Sequence, residues 1–264
     1  PQDYYNKLCL PRRTYNGRMM IENKAEKVKP YSDTGSKKEQ VAEMFDNISN
    51  RYDLLNHVLS LNIDKLWRKK AVKLLKPYAP KVLLDVATGT GDFAIELMSL
   101  KPTRVHGIDI SAGMLEVGKK KMINKKLDEI ISMELGDAEN IHFNDAHFDG
   151  ITVAFGVRNF ENLNKGLTEI HRVLKPGKAL AVLEFSKPKS FPWQQLYNFY
   201  FSFVLPLIGK LVSKDPRAYT YLPESVQAFP EGNEFISILK NVGFSKVTEY
   251  RRTFGIATIY LAEK

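Results

Sequence analysis

Cysteine is nearly absent: Cys9 is the single thiol in 264 residues. One thiol excludes an internal disulfide and any thiolate cluster able to hold zinc, and it fits a reducing cytoplasm. Missing too is an apolar run of the roughly eighteen residues a membrane-spanning helix needs, and the first residues show no signal-peptide pattern. Acids are in deficit, 30 against 39 Lys and Arg, for a formal net charge of +9. Much of the excess is local. Residues 1–40 hold nine Lys or Arg against five acids, and Lys119, Lys120, Lys121, Lys125 and Lys126 form a second cluster. Such runs are ordinarily a solvated tail and a solvated helix end; an anionic membrane surface is the main competing partner, with nucleic acid after it. No internal repeat or low-complexity tract is present.

What the chain does have is alternation. Residues 1–38 are polar, basic and aperiodic and read as a flexible segment, with Met19 and Met20 marking a candidate natural start. From Gln40 the pattern turns helical, with Val41, Met44, Phe45 and Ile48 on one face and a second helical stretch through Asp53–Leu75. Pro77 and Pro80 close this helical cap, residues 40–76. Apolar runs over Val82–Val86, Val105–Ile110, Ile130–Leu135, Phe148–Phe155 and Ala179–Phe185 predict strands. Helices are expected at Ala112–Lys126 and Glu161–Leu174, the latter stopping at Lys175-Pro-Gly-Lys178. The last part reads helix, strand, strand over Phe235–Val242, Lys246–Arg252 and Thr258–Leu261. Strands alternating with helices predict a mostly parallel sheet covered on both faces, here one domain over residues 39–264. An aromatic insert, residues 191–229, interrupts it; Trp193, Leu196, Phe199, Phe203, Leu207 and Leu211 make it a core helix pair, an apolar lid or a lipid-facing patch.

The chemistry gathers at Asp85-Val-Ala-Thr-Gly-Thr-Gly-Asp92. A glycine turn between a strand and a helix lets a ligand approach the backbone, at Gly89 and Gly91. Asp109 lies about twenty residues beyond the first glycine, where an acid ending the second strand meets ribose hydroxyls. The turn alone is also compatible with a nicotinamide dinucleotide. Three features favour S-adenosylmethionine. Asp85, just before the turn, can face an ammonium group, whereas a pyrophosphate would disfavour an acid there. Gly136-Asp137-Ala138 follows the third strand, where an acid can accept from an adenine amine. The chain then ends in helix, strand, strand rather than a second half-sheet. These mark a class I methyltransferase with a Rossmann-like, seven-stranded sheet. Transfer of a sulfonium methyl needs alignment and exclusion of water, and no metal.

Several stretches resemble the ubiquinone/menaquinone biosynthesis C-methyltransferases of the UbiE/MenG type. They are Tyr52-Asp-Leu-Leu-Asn-His57, Leu61–Trp67, the glycine turn, Asp109–Leu115, Gly136–Glu139, Ala154-Phe-Gly-Val-Arg-Asn159, Arg172–Gly177, Val182-Leu-Glu-Phe-Ser186 and Tyr221-Leu-Pro-Glu-Ser225. The similarity runs from about Lys38 to Lys264, and the last two motifs with Phe-Gly-Val-Arg-Asn are the specific ones. It implies a demethylmenaquinone-methyltransferase type of enzyme, S-adenosylmethionine as donor and a prenylated benzoquinol or naphthoquinol as acceptor. Cofactor positions fall on Thr90, Asp109, Asp137 and Ala138, with Gly89 and Gly91 shaping the turn. Position 154, often serine in relatives, is alanine. Arg158 and Asn159 become candidates for quinol handling, Arg158 by stabilising a phenolate, and Tyr52 for contact with the ring. Phe199, Phe203 and Leu207 become candidates for the isoprenoid tail. Peripheral contact with the inner face of the plasma membrane and a homodimer are compatible with the resemblance; nucleic acid is not expected. The stretch Lys29–Gln40 favours the menaquinone branch. A nucleic-acid methyltransferase, a nicotinamide-dependent oxidoreductase and a non-catalytic scaffold remain the alternatives.

Overall fold

The sheet follows from period-two patterning. In the computed structural model, which describes residues 13–15, 18–20, 23–60, 62–204 and 217–264, seven strands form one sheet and two short strands a ribbon. The ribbon pairs β1 (Arg13–Tyr15) with β2 (Arg18–Met20). The sheet comprises β3 (Val82–Val86), β4 (Arg104–Asp109), β5 (Ile131–Leu135), β6 (Phe148–Ala154), β7 (Leu174–Phe185), β8 (Lys246–Arg252) and β9 (Ala257–Glu263), ordered β5-β4-β3-β6-β7-β9-β8. The strands from β5 to β7 are parallel, and β9 runs antiparallel to both its neighbours.

Successive side chains leave opposite faces of a strand. Leu84, Leu180, Val182 and Tyr260 accordingly join the core on one face, and Leu83, Ala179, Ala181, Leu183 and Ile259 the core on the other. The first face is covered by α6 (Leu163–Val173) and α9 (Asn233–Val242); the second by α3 (Ile63–Leu75), α4 (Asp92–Leu97) and α5 (Ala112–Asn124). Burial on both sides explains why β7 is almost wholly apolar beyond Lys178. At the edge, β8 carries Lys246, Glu249, Arg251 and Arg252, charges that discourage further pairing. Side chains set the helix starts. Ser111 Oγ accepts from Met114 N at 3.1 Å, and Asn162 Oδ1 from Lys165 N at 2.9 Å. Each cap contributes about 1 kcal/mol.

Three sequence expectations change. The strand expected from Ala179 begins at Leu174, so Lys175-Pro-Gly-Lys178 lies within β7. Gly177 there adopts φ +72°, a bulge conformation that apolar periodicity does not report. The cap divides into α2 (Lys37–Leu59) and α3, broken at Asn62 with φ 60°. And the segment assigned to a flexible tail is packed from Asn23 onward. It forms α1 (Lys24–Lys27), buries Ala25 and Lys37, and leads directly into α2. Its low apolar content hid this, because polar contacts rather than a greasy face hold it.

The insert contributes α7 (Trp193–Phe199), a wide π-type turn (Tyr200–Val204) and α8 (Arg217–Ala228). Ala218 and Tyr221 of α8 bury against Val41 and Met44 of α2. Leu207 and Leu211 lie outside the described residues.

Candidate active site

In chain order the sheet grows outward through β3, β4 and β5 and then returns to β6 beside β3. That reversal opens a crevice beyond the carboxyl ends of the strands, the usual ligand position in such sheets. A cleft lies there, lined by Gly89 after β3, Asp109 at the end of β4, Asp137 and Ala138 after β5, and Phe155 and Asn159 after β6.

The turn after β3 is shaped by backbone. Gly89 and Gly91 adopt φ +56° and +83°, where a Cβ is strained. Gly91 starts α4, and a Cβ there would lie 2.4 Å from Met122 Cε. Asp109 ties this turn to β4: its Oδ2 accepts from Gly89 N at 2.7 Å and its Oδ1 from Ser111 N at 2.9 Å. Burial pushes its carboxyl above the usual range, against the pull of these donors. Each oxygen keeps a lone pair that a ribose hydroxyl can use.

Asp85 stands differently from expectation. It is buried at the end of β3 and accepts from Thr88 Oγ1 and Thr152 Oγ1, both at 2.6 Å. It does not line the cleft. Burial raises its pKa to about 6 despite the two hydroxyls.

A polar stripe on α2 fastens the cap over the donor end. Lys38 Nζ reaches Asp137 Oδ2 at 2.5 Å. Asp46 Oδ1 accepts from Ser111 Oγ at 2.6 Å and Gly113 N at 2.8 Å. Asp53 Oδ1 accepts from Thr90 Oγ1, and Asp53 Oδ2 pairs with Lys121 Nζ, both at 2.5 Å. Thr90 therefore faces the cap helix, and neither Thr90 nor Gly91 lines the cleft. Residues 46 and 53, seven apart, share one side of α2, and Lys38 stands about 80° round from Asp46. Beside them Val41, Phe45 and Tyr52 line the cleft, with Phe45 and Tyr52 edge to face at 5.9 Å.

After β6 comes the turn Val157–Asn159, which carries the residues expected to handle a quinol. Asn159 lines the cleft; its Nδ2 donates to Phe155 O at 3.3 Å, and its Oδ1 accepts from Tyr221 OH at 3.1 Å. Arg158 is turned inward. Its Nη1 donates to Glu184 Oε1 at 2.7 Å and to Phe155 O at 2.5 Å, and it does not line the cleft. Both members of the pair are buried, and burial raises the Glu184 carboxyl against the pull of Arg158. The charge expected to meet a phenolate is thus committed to a carboxylate, a partner that strand periodicity cannot name. Glu184 and Tyr221 enter the site from β7 and α8; both stand in motifs singled out above, but nothing local in sequence joins them to residue 158 or 159.

The donor set fits S-adenosylmethionine: a buried carboxylate for ribose hydroxyls, Asp137 for an adenine amine, and backbone at Gly89 open to close approach. Comparison with known proteins agrees. Solved structures of similar fold include an S-adenosylmethionine-dependent methyltransferase from Thermotoga maritima, with TM-score 0.56 and 20% identity over 83% of this chain and 98% of that one. Another is phosphoethanolamine N-methyltransferase 2 of Haemonchus contortus, with TM-score 0.53 and 16% identity over 74% of this chain and 52% of that one. At these identities they establish the fold, that of the class I methyltransferases. Among curated relatives, a demethylmenaquinone methyltransferase of Bacteroides fragilis is 52% identical over 240 residues, 90% of this chain and 98% of the relative. One of Porphyromonas gingivalis is 44% identical over 241 residues, 90% and 98% of the two chains. A ubiquinone/menaquinone biosynthesis C-methyltransferase UbiE of Geotalea daltonii is 48% identical over 231 residues, 86% and 97%. The family model of the ubiE/COQ5 methyltransferases matches residues 33–264, which takes in the sheet, the cap, the insert and every residue of the cleft, and the chain belongs to the ubiE/COQ5 methyltransferase family.

Proposed function

We propose that the protein methylates a ring carbon of a prenylated naphthoquinol, converting a demethylmenaquinol to a menaquinol. The carrying observation is one cleft with two chemistries. Acids and backbone at Gly89, Asp109 and Asp137 share it with aromatic rings at Phe45, Tyr52, Phe155 and Phe160. The relatives from B. fragilis and P. gingivalis carry the demethylmenaquinone name, which favours the naphthoquinol over the benzoquinol ring.

When bound, S-adenosylmethionine supplies a methyl group already activated on a sulfonium. Asp109 would hold the ribose hydroxyls and Asp137 the adenine amine, once Lys38 shares that carboxylate; Ala138 would pack against the base. Phe45, Tyr52 and Phe155 exclude water and stack against the quinol ring, which sets the in-line approach. Asn159 is the polar side chain placed to hold a ring hydroxyl. Arg158 acts one layer behind it: Phe155 O accepts from both Arg158 and Asn159, so the buried ion pair fixes the carbonyl against which Asn159 is oriented. In this reading residues 39–264 work as one unit, the cap over the donor and the insert toward the acceptor tail.

The tail assignment has its own support. Phe191, Leu196, Phe199, Phe203 and Phe254 are exposed, Phe191 by 81%, and Trp193 stacks on Phe254 with centroids 3.6 Å apart. Clustered exposed apolar side chains mark contact surfaces. No helix among the described residues is long and apolar enough to cross a membrane. The proposed contact is therefore peripheral, through this patch. Serine at both Phe199 and Phe203 is expected to lower turnover on long-tailed acceptors about tenfold, a loss of roughly 1.4 kcal/mol, and to spare tail-less analogues.

The deciding experiment incubates the protein with labelled S-adenosylmethionine and reduced demethylated naphthoquinols and benzoquinols, with mass analysis of the products. Methylated naphthoquinol is expected. Methylation confined to benzoquinols would reassign the ring, and no quinol product would overturn the proposal.

A further inference from the structure

Lys37 is among the most completely buried large side chains, with 1% of its surface exposed. It is the first residue of α2, and its ammonium donates to three backbone carbonyls: Ala25 O at 2.7 Å, Arg158 O at 2.9 Å and Phe160 O at 3.2 Å. An ammonium has three N–H donors, so all are used. Its backbone N–H also donates to Glu161 Oε1 at 2.7 Å, and the neighbouring Ser36 Oγ to the same oxygen at 3.0 Å. A lysine is rarely buried so fully, and burying a charge is unfavourable unless something is fixed by it. Here the thing fixed is the turn carrying Asn159. Two of the three carbonyls flank that residue, one on each side.

We infer that Lys37 is a positioning residue for the acceptor end: its buried ammonium clamps the backbone on either side of Asn159 to the start of the cap helix. Cap and turn then move together, and Asn159 is oriented only when the cap is seated. The inference deepens the quinol reading and rests on it for the identity of the acceptor; the clamp itself does not. Charged groups facing Lys37 come from each element packed on it: Glu26 of α1, Glu139 after β5, and Arg158 and Glu161 of the turn region. Burial pulls its pKa down to about 8, with the three acids opposing and Arg158 assisting. On deprotonation it can donate only two N–H groups, so at least one carbonyl is released as pH rises through that value.

The test compares the full-length protein with Lys37→Met and Lys37→Gln. Two readouts are used, amide hydrogen exchange over Val157–Glu161 and steady-state turnover with S-adenosylmethionine and a reduced demethylated quinol. Exchange at the Asn159 and Phe160 amides is expected to quicken at least tenfold in Lys37→Met, with the turn after β3 unchanged. Turnover is expected to fall at least tenfold while cofactor affinity stays within about twofold, and Lys37→Gln, which keeps two donors, should recover part of both. Wild-type turnover should decline above about pH 8, a limb that Lys37→Met lacks. Unchanged exchange at residues 157–161 would overturn the clamp. Quickened exchange with undiminished turnover, or cofactor affinity falling as far as turnover, would overturn its role in positioning. Absence of quinol turnover in the wild type would fall on the acceptor assignment, and exchange would still decide the clamp.

Discussion

The donor and acceptor ends of the cleft are made in different ways. At the donor end, short loops follow consecutive strands, and the principal contacts are backbone groups and acids within three residues of a strand end: Gly89, Asp109, Ser111 and Asp137. At the acceptor end, one short turn is held by side chains from three distant elements. Lys37 comes from α2, Glu184 from β7 and Tyr221 from α8, with Ala25 of α1 sharing the lysine. The donor loops are tied to one another through Asp109 and backbone groups, and α2 alone adds side chains from outside the sheet, through Lys38, Asp46 and Asp53. The acceptor end is correct only when the cap, sheet and insert are all in place.

The contrast can be broken most severely at the buried ion pair. Glu184→Gln leaves the Arg158 guanidinium in the interior without a carboxylate, and loss of about 3–5 kcal/mol of stability is expected by denaturant unfolding. At the donor end, Asp109→Ala removes the carboxylate proposed for the ribose hydroxyls. S-adenosylmethionine affinity measured by titration calorimetry should drop about a hundredfold, roughly 3 kcal/mol. An equal loss of donor affinity in Glu184→Gln would erase the distinction between the two ends.

Asp85, buried in the sheet beneath the glycine turn, offers a titration. Its folded pKa of about 6 lies above its ordinary 3.8. The folded state therefore holds the proton more tightly than the unfolded chain, and the stabilising contribution is full below about 4 and lost as pH rises through about 6. Asn at this position does not titrate. Asp85→Asn should thus gain stability relative to wild type between those pH values, by an amount approaching about 3 kcal/mol. A difference that stays flat with pH would mean that the two threonine hydroxyls balance desolvation. The mildest change is Tyr221→Phe, which deletes one hydrogen bond to Asn159. It should cost about 1 kcal/mol of stability. The acceptor KM should rise severalfold with donor affinity unchanged, which would sharpen the separation of the two ends.

Legibility followed the same division. The strand β3, its glycine turn and Asp109 could be read locally, because a buried parallel strand is a run of apolar residues and the ribose acid follows at fixed spacing. Six of the nine site residues chosen from sequence, Tyr52, Gly89, Asp109, Asp137, Ala138 and Asn159, do line one cleft. Gly91 shapes the turn, at φ +83°, while Thr90 and Arg158 turn away from the cleft. Sequence spacing places a residue at a strand end without giving the direction of its side chain, and both are claimed by neighbours far along the chain. Thr90 meets Asp53 across 37 residues, Arg158 meets Glu184 across 26, and Gly91 is packed beneath Met122. The early start of β7 was hidden because Lys175-Pro-Gly carries turn chemistry, and a glycine bulge is compatible with both readings.

By itself the sequence determined the layer order, the parallel sheet and the donor turn, since apolar periodicity and a glycine spacing are properties of neighbours along the chain. Only the tertiary structure decided that Arg158 pairs inward, that Asn159 beside it faces the cleft, and that Lys37 is buried against the same turn. Those outcomes depend on which charges find each other once water is excluded, and partners separated by more than 120 residues leave no mark in local pattern.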